Sequence, residues 1–430
     1  MLKNLFYINR NYQVFTYINR LIITTLAPFQ GFSFTNTIFV AMPKEPFIKI
    51  LVLIDYATEF SRRFLSGLIR YSKECGPWVF YRVPFYYKSL SGEAGVIELI
   101  KQWEADAVVA QWDFENAEAF KKLNIPIFIQ NNRNSDKDFS NITGDYLGTG
   151  ALAARFFVQR NYKNFAFYGN KGFIWSRERA KGFMQEVEKA KGNYFSYESQ
   201  SLEGEQWSSG HKELYNWLVS LPKPVALFAC DDSFAIQVSE ICQLHGIKIP
   251  DEISLLGVDN DEIICDLSDP TISSVVLDAE KGGYETGRSI HQVIKSGANK
   301  PFEITINAVR FQLRKSTEQY NIKNEDVLDV VKYIRENFAS KITIDQLTKL
   351  VPLSRRNLEV KFKLEVGMSI YQFILEQRIE YFSQLLLTTR RSLFDLSIEC
   401  GFNDSANVYR IFKKMKGFTP MEYRQKFSEV

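Results

Sequence analysis

Short apolar runs alternate with helical patterns from residue 48 to about residue 310. Between the runs, apolar residues recur at the spacing of one helix face, as in the helix predicted over 61–75. The predicted strands are 48–54, 107–110, 125–129, 164–168, 225–229 and 253–257. Such alternation is typical of α/β folds, in which helices cover both faces of parallel sheets.

After residue 317 the strand pattern stops and helical patterns alone continue. Residues 318–326 lose apolar periodicity and predict a linker. From 327 to 430, a long helix predicted over 369–387 joins two copies of one arrangement, a short scaffold helix followed by a second helix. Thr343, Ser354 and Asp404 stand where helix N-caps are expected. The sequence therefore predicts an all-α domain with two helix-turn-helix motifs.

Residues 1–46 follow neither pattern. Their apolar run at 21–28 is too short to span a bilayer, although the basic residues before it leave a signal peptide open as an alternative. Met42 stands shortly before the first strand. We therefore expect the ordered protein to begin near Met42. Residues 1–46 are then a poorly ordered extension or the result of a mis-assigned start.

Composition narrows the class of protein. A length of 430 residues fits two or three domains. The five cysteines show no CxxC spacing, so we expect reduced thiols in a cytoplasmic protein and no metal site. The chain has no P-loop, no G-x-S-x-G and no G-x-G-x-x-G after a strand. These absences argue against an enzyme, and we predict no cofactor.

Polar and aromatic residues gather where the predicted strands end. In open parallel sheets, ligands bind beyond the carboxyl ends of the strands. Carboxylates accept hydrogen bonds from hydroxyls, and an indole face covers the C–H surface of a sugar. The strand-end candidates are Asp55, Glu59, Trp112, Asp113, Asp231 and Asp259. A helix N-cap is the alternative role for each aspartate, but the set as a whole favours a carbohydrate site.

Ordered motifs in this region resemble the ligand-sensing domain of the lactose/galactose-repressor class, itself similar to periplasmic sugar-binding proteins. They are an R-x-x-G-F run at 179–183, the segments 230–235 and 250–260, and an R-x-S-T ending at 314–317. The resemblance implies a two-lobed, periplasmic-binding-protein-like domain over 47–317, with Arg179, Asp231 and Asp259 touching the ligand. Trp175, one helical turn before Arg179, is placed to add a ring to the pocket. Repressors of that class carry their DNA-binding helices before the sensor, where this chain shows no capped helix pair.

The C-terminal helices carry a local basic excess, although the whole chain has a net charge of only +3. Residues 355–426 hold 13 Lys and Arg against 8 Asp and Glu, a net of +5. Arginine and asparagine suit contacts with base edges, while lysine and serine suit phosphates. On these grounds the predicted DNA-binding residues include Arg355, Arg356, Ser405, Tyr409, Arg410 and Lys413.

The motifs of this region resemble the DNA-binding domain of the AraC/XylS family of transcription regulators. The segment 401–405 fits the family's G-F-x-[DE]-x turn motif, and the segment 412–424 fits its F-K-[KR] and G-x-T-P-x-x-[YF]-R motifs. The resemblance implies that double-stranded DNA is a partner and that each second helix presents base-facing residues. These are Arg356, Glu359 and Val360 in the first unit and Ser405, Ala406, Tyr409 and Arg410 in the second. Val360 departs from the pattern, because the family commonly carries Arg or Lys there. We therefore expect the first of these helices to rely on methyl contacts with thymine.

A sugar sensor followed by such a DNA-binding domain implies a sugar-responsive transcription activator. Pentose-responsive regulators share this uncommon order of parts, so xylose is the first candidate effector and another pentose or related sugar the second. The resemblance also implies a homodimer on repeated half-sites, with RNA polymerase as a candidate partner and no membrane contact. The alternative is a transport-type sugar-binding protein, which the cysteine usage and the weak N-terminal signal disfavour.

Overall fold

The computed structural model describes residues 47–84, 86–113, 115–130, 137–199, 207–297, 300–318, 322, 324–402, 405–416 and 418–427. At residues 88, 89, 199, 207–210, 405, 406, 426 and 427 it describes the backbone alone. The extension predicted over 1–46 lies outside the described residues, as does Asp404, which was expected to cap a helix.

The strands of the described chain form two sheets of six strands each. The strands are β1 (Ile48–Leu53), β2 (Trp78–Arg82), β3 (Ala107–Ala110), β4 (Ile127–Ile129), β5 (Ser140–Gly144), β6 (Asn164–Asn170), β7 (Asn193–Ser199), β8 (Val225–Ala229), β9 (Ile253–Val258), β10 (Ser273–Leu277), β11 (Glu303–Ile306) and β12 (Ala308–Gln312). The first sheet has the order β11-β5-β4-β3-β1-β2 and the second β12-β10-β9-β8-β6-β7. Each sheet forms the centre of one lobe, which confirms the predicted two-lobed α/β architecture.

Helices lie between most of the strands along the chain. They are α1 (Glu59–Cys75), α2 (Tyr87–Gln102), α3 (Ala117–Lys121), α4 (Tyr146–Val158), α5 (Ile174–Lys189), α6 (Trp207–Ser220), α7 (Asp232–His245), α8 (Glu262–Leu267) and α9 (Ala279–Ser296). The chain crosses between the lobes after β5, before β11 and again after β11. Strand pairing is parallel except between β10 and β12, because β12 enters the second sheet directly from β11 without a crossover helix.

The sequence pattern located strands that read as apolar runs and missed the others, among them β10, which is buried throughout but begins with two serines. Every residue of β3, β8 and β9 is buried, so these strands read as continuous apolar runs. The edge strands β2 and β12 are mostly half-buried, and β5 reads Ser-Asn-Ile-Thr-Gly, which is no apolar run. Strand β4 begins at Ile127 rather than at 125, because Pro126 has no N–H to donate to a ladder.

Helices α4 and α5 pack backbone against backbone in the second lobe. A Cβ atom on Gly150 of α4 would lie 2.0 Å from the carbonyl oxygen of Arg179. A Cβ atom on Gly182 of α5 would lie 2.0 Å from the carbonyl oxygen of Leu147. The glycine of the R-x-x-G-F run is therefore required by close helix contact, and its neighbour Phe183 is fully buried in the core.

The C-terminal region is helical, as predicted. Its helices are α10 (Glu325–Asn337), α11 (Ile344–Thr348), α12 (Arg355–Val366), α13 (Ile370–Thr388), α14 (Leu393–Glu399), α15 (Ser405–Lys416) and α16 (Pro420–Phe427). Thr343 and Ser354 cap α11 and α12 as expected. Helix α10 begins two residues before the predicted start at 327, because the side chain of Asn324 accepts a hydrogen bond from the N–H of Val327.

Helix α13 joins two separate apolar cores. Its first half contributes Ile370 and Phe373 to a core with α10, α11 and α12. Its second half contributes Ile379 and Phe382 to a core with α14, α15 and α16. Gly401, in the turn between α14 and α15, has φ +79° and leaves no space for a Cβ beside the carbonyl of Ala339. Two helix-turn-helix units are thus mounted on one helix.

The glycine contact between α4 and α5 predicts the effect of one methyl group. Gly182→Ala should destabilise the protein by about 1–3 kcal/mol, because a rigid backbone carbonyl occupies the space of the new Cβ. The exposed neighbour Lys181→Ala is the control and should change the stability by less than about 0.5 kcal/mol. Thermal and urea unfolding of both variants measures the difference, and equal stability would contradict the close contact.

Candidate functional site

The second lobe brings four of the predicted sugar-site residues together. Trp175 and Arg179 lie one turn apart on α5. Arg179 is 3% exposed, and its Nη1 donates a hydrogen bond of 2.5 Å to the carbonyl oxygen of Cys230, at the end of β8. Its Nη2 lies 3.8 Å from Oδ1 of Asp259, at the end of β9. The carboxyl ends of neighbouring parallel strands therefore converge on this arginine.

The backbone around Asp259 is held in an uncommon conformation. Asp259 and Asn260 have φ values of +98° and +51°. The N–H of Asn260 donates to Ser274 Oγ at 2.9 Å, and Ser274 Oγ donates to Asp232 Oδ1 at 2.7 Å. The N–H of Asp261 donates to the other oxygen of Asp232 at 2.7 Å. This buried network fixes the turn that presents Asp259 to Arg179.

The electrostatics of Asp259 reflect burial. Burial raises the pKa of Asp259 to about 6, and the neighbouring carboxylates of Asp231 and Asp261 act in the same direction. The positive charge of Arg179 lowers the pKa and so opposes them. The ionised form is thus destabilised in the ligand-free protein.

Asp231 performs the capping role that was the alternative for each strand-end aspartate. Its Oδ1 accepts a 3.0 Å hydrogen bond from the N–H of Phe234 at the start of α7. Burial raises the pKa of Asp231, while hydrogen bonds from the Phe234 backbone and the Trp175 side chain lower it. The contact with Trp175 places this carboxyl beside the aromatic ring of the candidate site.

Two polar atoms at this site are buried without a hydrogen-bond partner among the described residues. They are Oδ1 of Asp259, an acceptor, and Nε of Arg179, a donor. A buried polar atom without a partner costs free energy unless a ligand completes its hydrogen bond. A sugar hydroxyl donates one hydrogen bond and accepts others, so it matches both atoms.

Tyr146 belongs to the same site, although the sequence analysis did not include it. The guanidinium of Arg179 lies 5.7 Å from the centroid of the Tyr146 ring. Tyr146 is the first residue of α4, directly after its N-cap Asp145. Strand β5 has a polar sequence, so the apolar pattern did not predict it. Had this strand been predicted, Tyr146 would have been a strand-end candidate like the others.

The first-lobe candidates have partners of their own. Asp55 accepts a hydrogen bond of 2.9 Å from the N–H of Ala57. Glu59 is bound by Arg62 and Arg63, each at 2.9 Å. Arg62 also forms an ion pair with Asp261 of the second lobe, with 3.2 Å between Nη2 and Oδ2. The ion pair of Arg62 and Asp261 joins the two lobes.

Trp112 and Asp113 follow β3 at the same end of the first sheet. Trp112 is 4% exposed and packs edge-on against Phe120 in the core of the first lobe. Its ring therefore serves the core in this structure, and Asp113 is half-buried beside it. Sugar contacts by these two residues, and by Asp55 and Glu59, stay predictions.

The predicted DNA-binding residues of the first unit lie on the exposed face of α12. Arg355, Arg356 and Glu359 are exposed, and Arg355 Nε pairs with Glu359 Oε1 at 3.1 Å. Val360 is 52% exposed on the same helix. Valine cannot hydrogen-bond a base edge, and Arg355 is paired with a carboxylate, so base reading by Arg356 stays the main prediction for α12.

The second unit presents a more basic face on α15. Tyr409 is 37% exposed, and Arg410 and Lys413 are exposed on the same helix. Arg410 Nη2 donates to Asn407 Oδ1 at 3.1 Å, which orients the guanidinium. The side chains of Ser405 and Ala406 lie outside the described part of the chain. These faces have the composition expected of recognition helices.

No helix among the described residues is both long and apolar enough to cross a membrane. No group of three His, Cys, Asp or Glu in the described chain is placed to hold a metal ion.

Comparisons with known proteins match both parts of the chain. A family of periplasmic binding protein-like domains matches residues 154–317, and a helix-turn-helix family matches 347–426. The xylose operon regulatory protein of Escherichia coli K12 is 30% identical over 344 residues, which are 78% of this chain and 87% of that protein. The chain belongs to the family of xylose operon regulatory proteins.

Other members of this family extend the match. The xylose operon regulatory protein of Haemophilus influenzae is 27% identical over 88% of this chain and 99% of its own length. A solved structure of the xylose-binding transcription activator xylR is 27% identical, covers 89% of this chain and 98% of its own, and superposes with a TM-score of 0.55. Like its family, this chain is a DNA-binding transcription regulator with a periplasmic-binding-protein-like sensor. The match at 347–426 decides against the transport-type alternative.

The raised pKa of Asp259 predicts how stability depends on pH. Its folded-state pKa of about 6 lies above that of the unfolded chain, so the folded state binds the proton more tightly and stability falls as pH rises from about 4 to about 6. Asp259→Asn should therefore raise the stability of the ligand-free protein by about 1–2 kcal/mol at pH 7.5, with less gain at pH 4.5.

Melting temperatures at the two pH values measure this effect. The exposed Asp251→Asn is the matched control and should show no such gain. A lower melting temperature of Asp259→Asn at pH 7.5 would contradict the account, because it would make the ionised carboxylate a stabilising group.

Proposed function

We propose that this chain activates sugar-catabolism genes when a small sugar binds between the two lobes of its sensor. The observation that carries the proposal is the ion pair of Arg179 and Asp259, in which Nη2 and Oδ1 lie 3.8 Å apart. Arg179 is buried and Asp259 is half-buried, and both Arg179 Nε and Asp259 Oδ1 are buried atoms without a hydrogen-bond partner among the described residues. Such a pair suits a neutral polyhydroxy ligand, since the ligand completes both hydrogen bonds without adding charge.

The two-lobed architecture supports closure around the ligand. Asp259 accepts from a sugar hydroxyl and Arg179 donates to one, while Trp175 covers an apolar face of the ring. Arg62 already links the first lobe to Asp261, two residues beyond Asp259. Sugar contacts at Asp259 therefore favour the arrangement in which the lobes are joined. A ligand shifts such an equilibrium only through its different affinities for the two arrangements.

D-Xylose is the proposed effector, with another pentose as the second candidate. The support is the name that the full-length relatives share and the xylose-binding activator among the solved structures. The residues described above define a polyhydroxy site; they do not distinguish one pentose from another.

A thermal-shift panel of pentoses and hexoses identifies the effector. D-Xylose should raise the melting temperature, since binding at 100 times Kd stabilises a protein by about 2.7 kcal/mol. Asp259→Asn should lose the shift, and the exposed Asp251→Asn should keep it. A shift with hexoses alone would overturn the proposed effector, and no shift with any sugar would overturn sugar control.

The DNA-binding side of the proposal is a homodimer on repeated half-sites, with RNA polymerase as the further partner. Each chain offers two recognition helices, α12 and α15, mounted on the 19-residue helix α13. Successive major grooves lie one helical turn apart on DNA. The two recognition helices of one chain therefore bind two successive major grooves, and the two chains of a dimer bind a site that is repeated.

Arg410→Ala tests base reading by the second unit. If Arg410 contacts a base edge, operator affinity should fall by about 1–3 kcal/mol, with relaxed preference at one position of the site. Lys332→Ala, exposed on α10, removes the same charge away from the recognition faces and should leave affinity within a factor of about two. Gel-shift titrations on a duplex selected from a random pool measure both. An unchanged sequence preference for Arg410→Ala would restrict this residue to phosphate or solvent.

A further inference from the structure

Helix α4 begins at the sugar site. Its N-cap Asp145 follows β5 directly, where the chain leaves the first lobe and enters the second. Its first residue, Tyr146, places its ring against Arg179. The helix has 13 residues and so spans about 20 Å. Its last turn is therefore too far from the pocket to contact a bound sugar.

Helix α4 is joined rigidly to the helix that carries Arg179. The glycine contacts described above bring the backbones of α4 and α5 together at Gly150 and Gly182. Close-packed backbones do not slide without steric cost. A displacement of Arg179, or of the chain at Asp145 where it passes from the first lobe to the second, therefore moves the whole of α4.

The far end of α4 contacts the DNA-binding domain. Asn161, three residues beyond the helix, donates a hydrogen bond of 2.9 Å from Nδ2 to the carbonyl oxygen of Glu365. Glu365 lies in the last turn of the first recognition helix, α12. Asn161 has φ +62°, a backbone conformation that asparagine and glycine tolerate better than other residues.

Arg160, beside Asn161, lies near α13, the helix that joins the two helix-turn-helix units. Its guanidinium lies 3.5 Å from the centroid of the Phe156 ring and donates to the Phe156 carbonyl at 3.2 Å, which fixes its direction. Burial raises the pKa of Glu376 on α13, and the nearby charge of Arg160 lowers it. Glu380, one turn along α13, pairs with Lys416 at the end of α15. The charge of Arg160 thus acts on α13, and the next turn of α13 carries the ion pair with α15.

These contacts leave the recognition faces accessible. Val360 and Tyr409 are 52% and 37% exposed while Asn161 and Glu365 are in contact. A second contact lies at the edge of the second sheet, where the Tyr423 hydroxyl is 3.5 Å from the carbonyl oxygen of Val309. The sensor therefore orients the DNA-binding domain without covering it.

We propose that the end of α4, at Arg160 and Asn161, is the surface on which the sensor holds its own DNA-binding domain, and that sugar binding reaches both recognition helices through it. The inference rests on the proposed function. It adds the position of the coupling surface and the residues that form it.

Asn161→Gly removes the side-chain donor and retains the positive φ. Asn124→Gly, at φ +52° in an exposed turn of the first lobe, is the matched control. The measured quantity is the operator Kd without sugar divided by the operator Kd with sugar. The sugar is the one that the thermal-shift panel identifies as binding most tightly, and the operator is a duplex that the wild-type chain selects from a random pool. We expect Asn161→Gly to lower this ratio at least threefold, with sugar Kd within twofold of wild type, and Asn124→Gly to change neither.

A charge exchange tests the attraction between Arg160 and Glu376. Arg160→Glu and Glu376→Arg should each lower the ratio, and the double variant should restore most of it, because it restores the attraction between two opposite charges. Independent effects of the two substitutions, with no restoration, would overturn the pairing.

Hydrogen exchange without sugar tests docking alone. Asn161→Gly should raise exchange in the last turn of α12 and in the first half of α13, relative to Asn124→Gly. Unchanged exchange together with an unchanged ratio would overturn the inference. A wild-type chain that binds no sugar, or whose operator affinity ignores sugar, would instead overturn the proposed function.

Discussion

The close contact between α4 and α5 is the constraint on which the site and its connections depend. Two glycines remove the side chains that would separate the helices, and the carbonyls of Arg179 and Leu147 occupy the space. The same contact places Tyr146 beside Arg179 and orients α4 toward the DNA-binding domain. A packing requirement at Gly150 and Gly182 thus determines both the geometry of the pocket and the direction of its link.

The proposed sugar site contains an ion pair that is suited to ligand binding rather than to stability. Arg179 has a backbone carbonyl as one partner, and Asp259 has a pKa raised to about 6 by its surroundings. Burial of such groups is unfavourable until a ligand completes their hydrogen bonds. The network of Asp232 and Ser274 maintains the uncommon backbone at Asp259 against this cost. Removal of the ionised group should therefore stabilise the ligand-free protein while it abolishes sugar binding.

Much of the architecture could be predicted from the sequence, for physical reasons that also set the limits. Fully buried strands such as β8 read as apolar runs. The N-caps Thr343 and Ser354 directly precede helices whose apolar residues recur at helical spacing. Edge strands and the polar β5 have no such pattern, so Tyr146 escaped notice. The burial of Trp112 in the first-lobe core depends on long-range packing that local sequence does not encode. The link from Asn161 to Glu365 joins residues 204 positions apart, which no spacing rule anticipates.

The central claim is that sugar and DNA bind to one coupled system, and coupling of binding free energies is reciprocal. The most direct test measures sugar Kd for the full-length chain with and without saturating operator duplex, and operator Kd with and without saturating sugar. The account predicts that both constants change by the same factor, typically about 5–150-fold. Tight binding of both ligands with no change in either constant would contradict it.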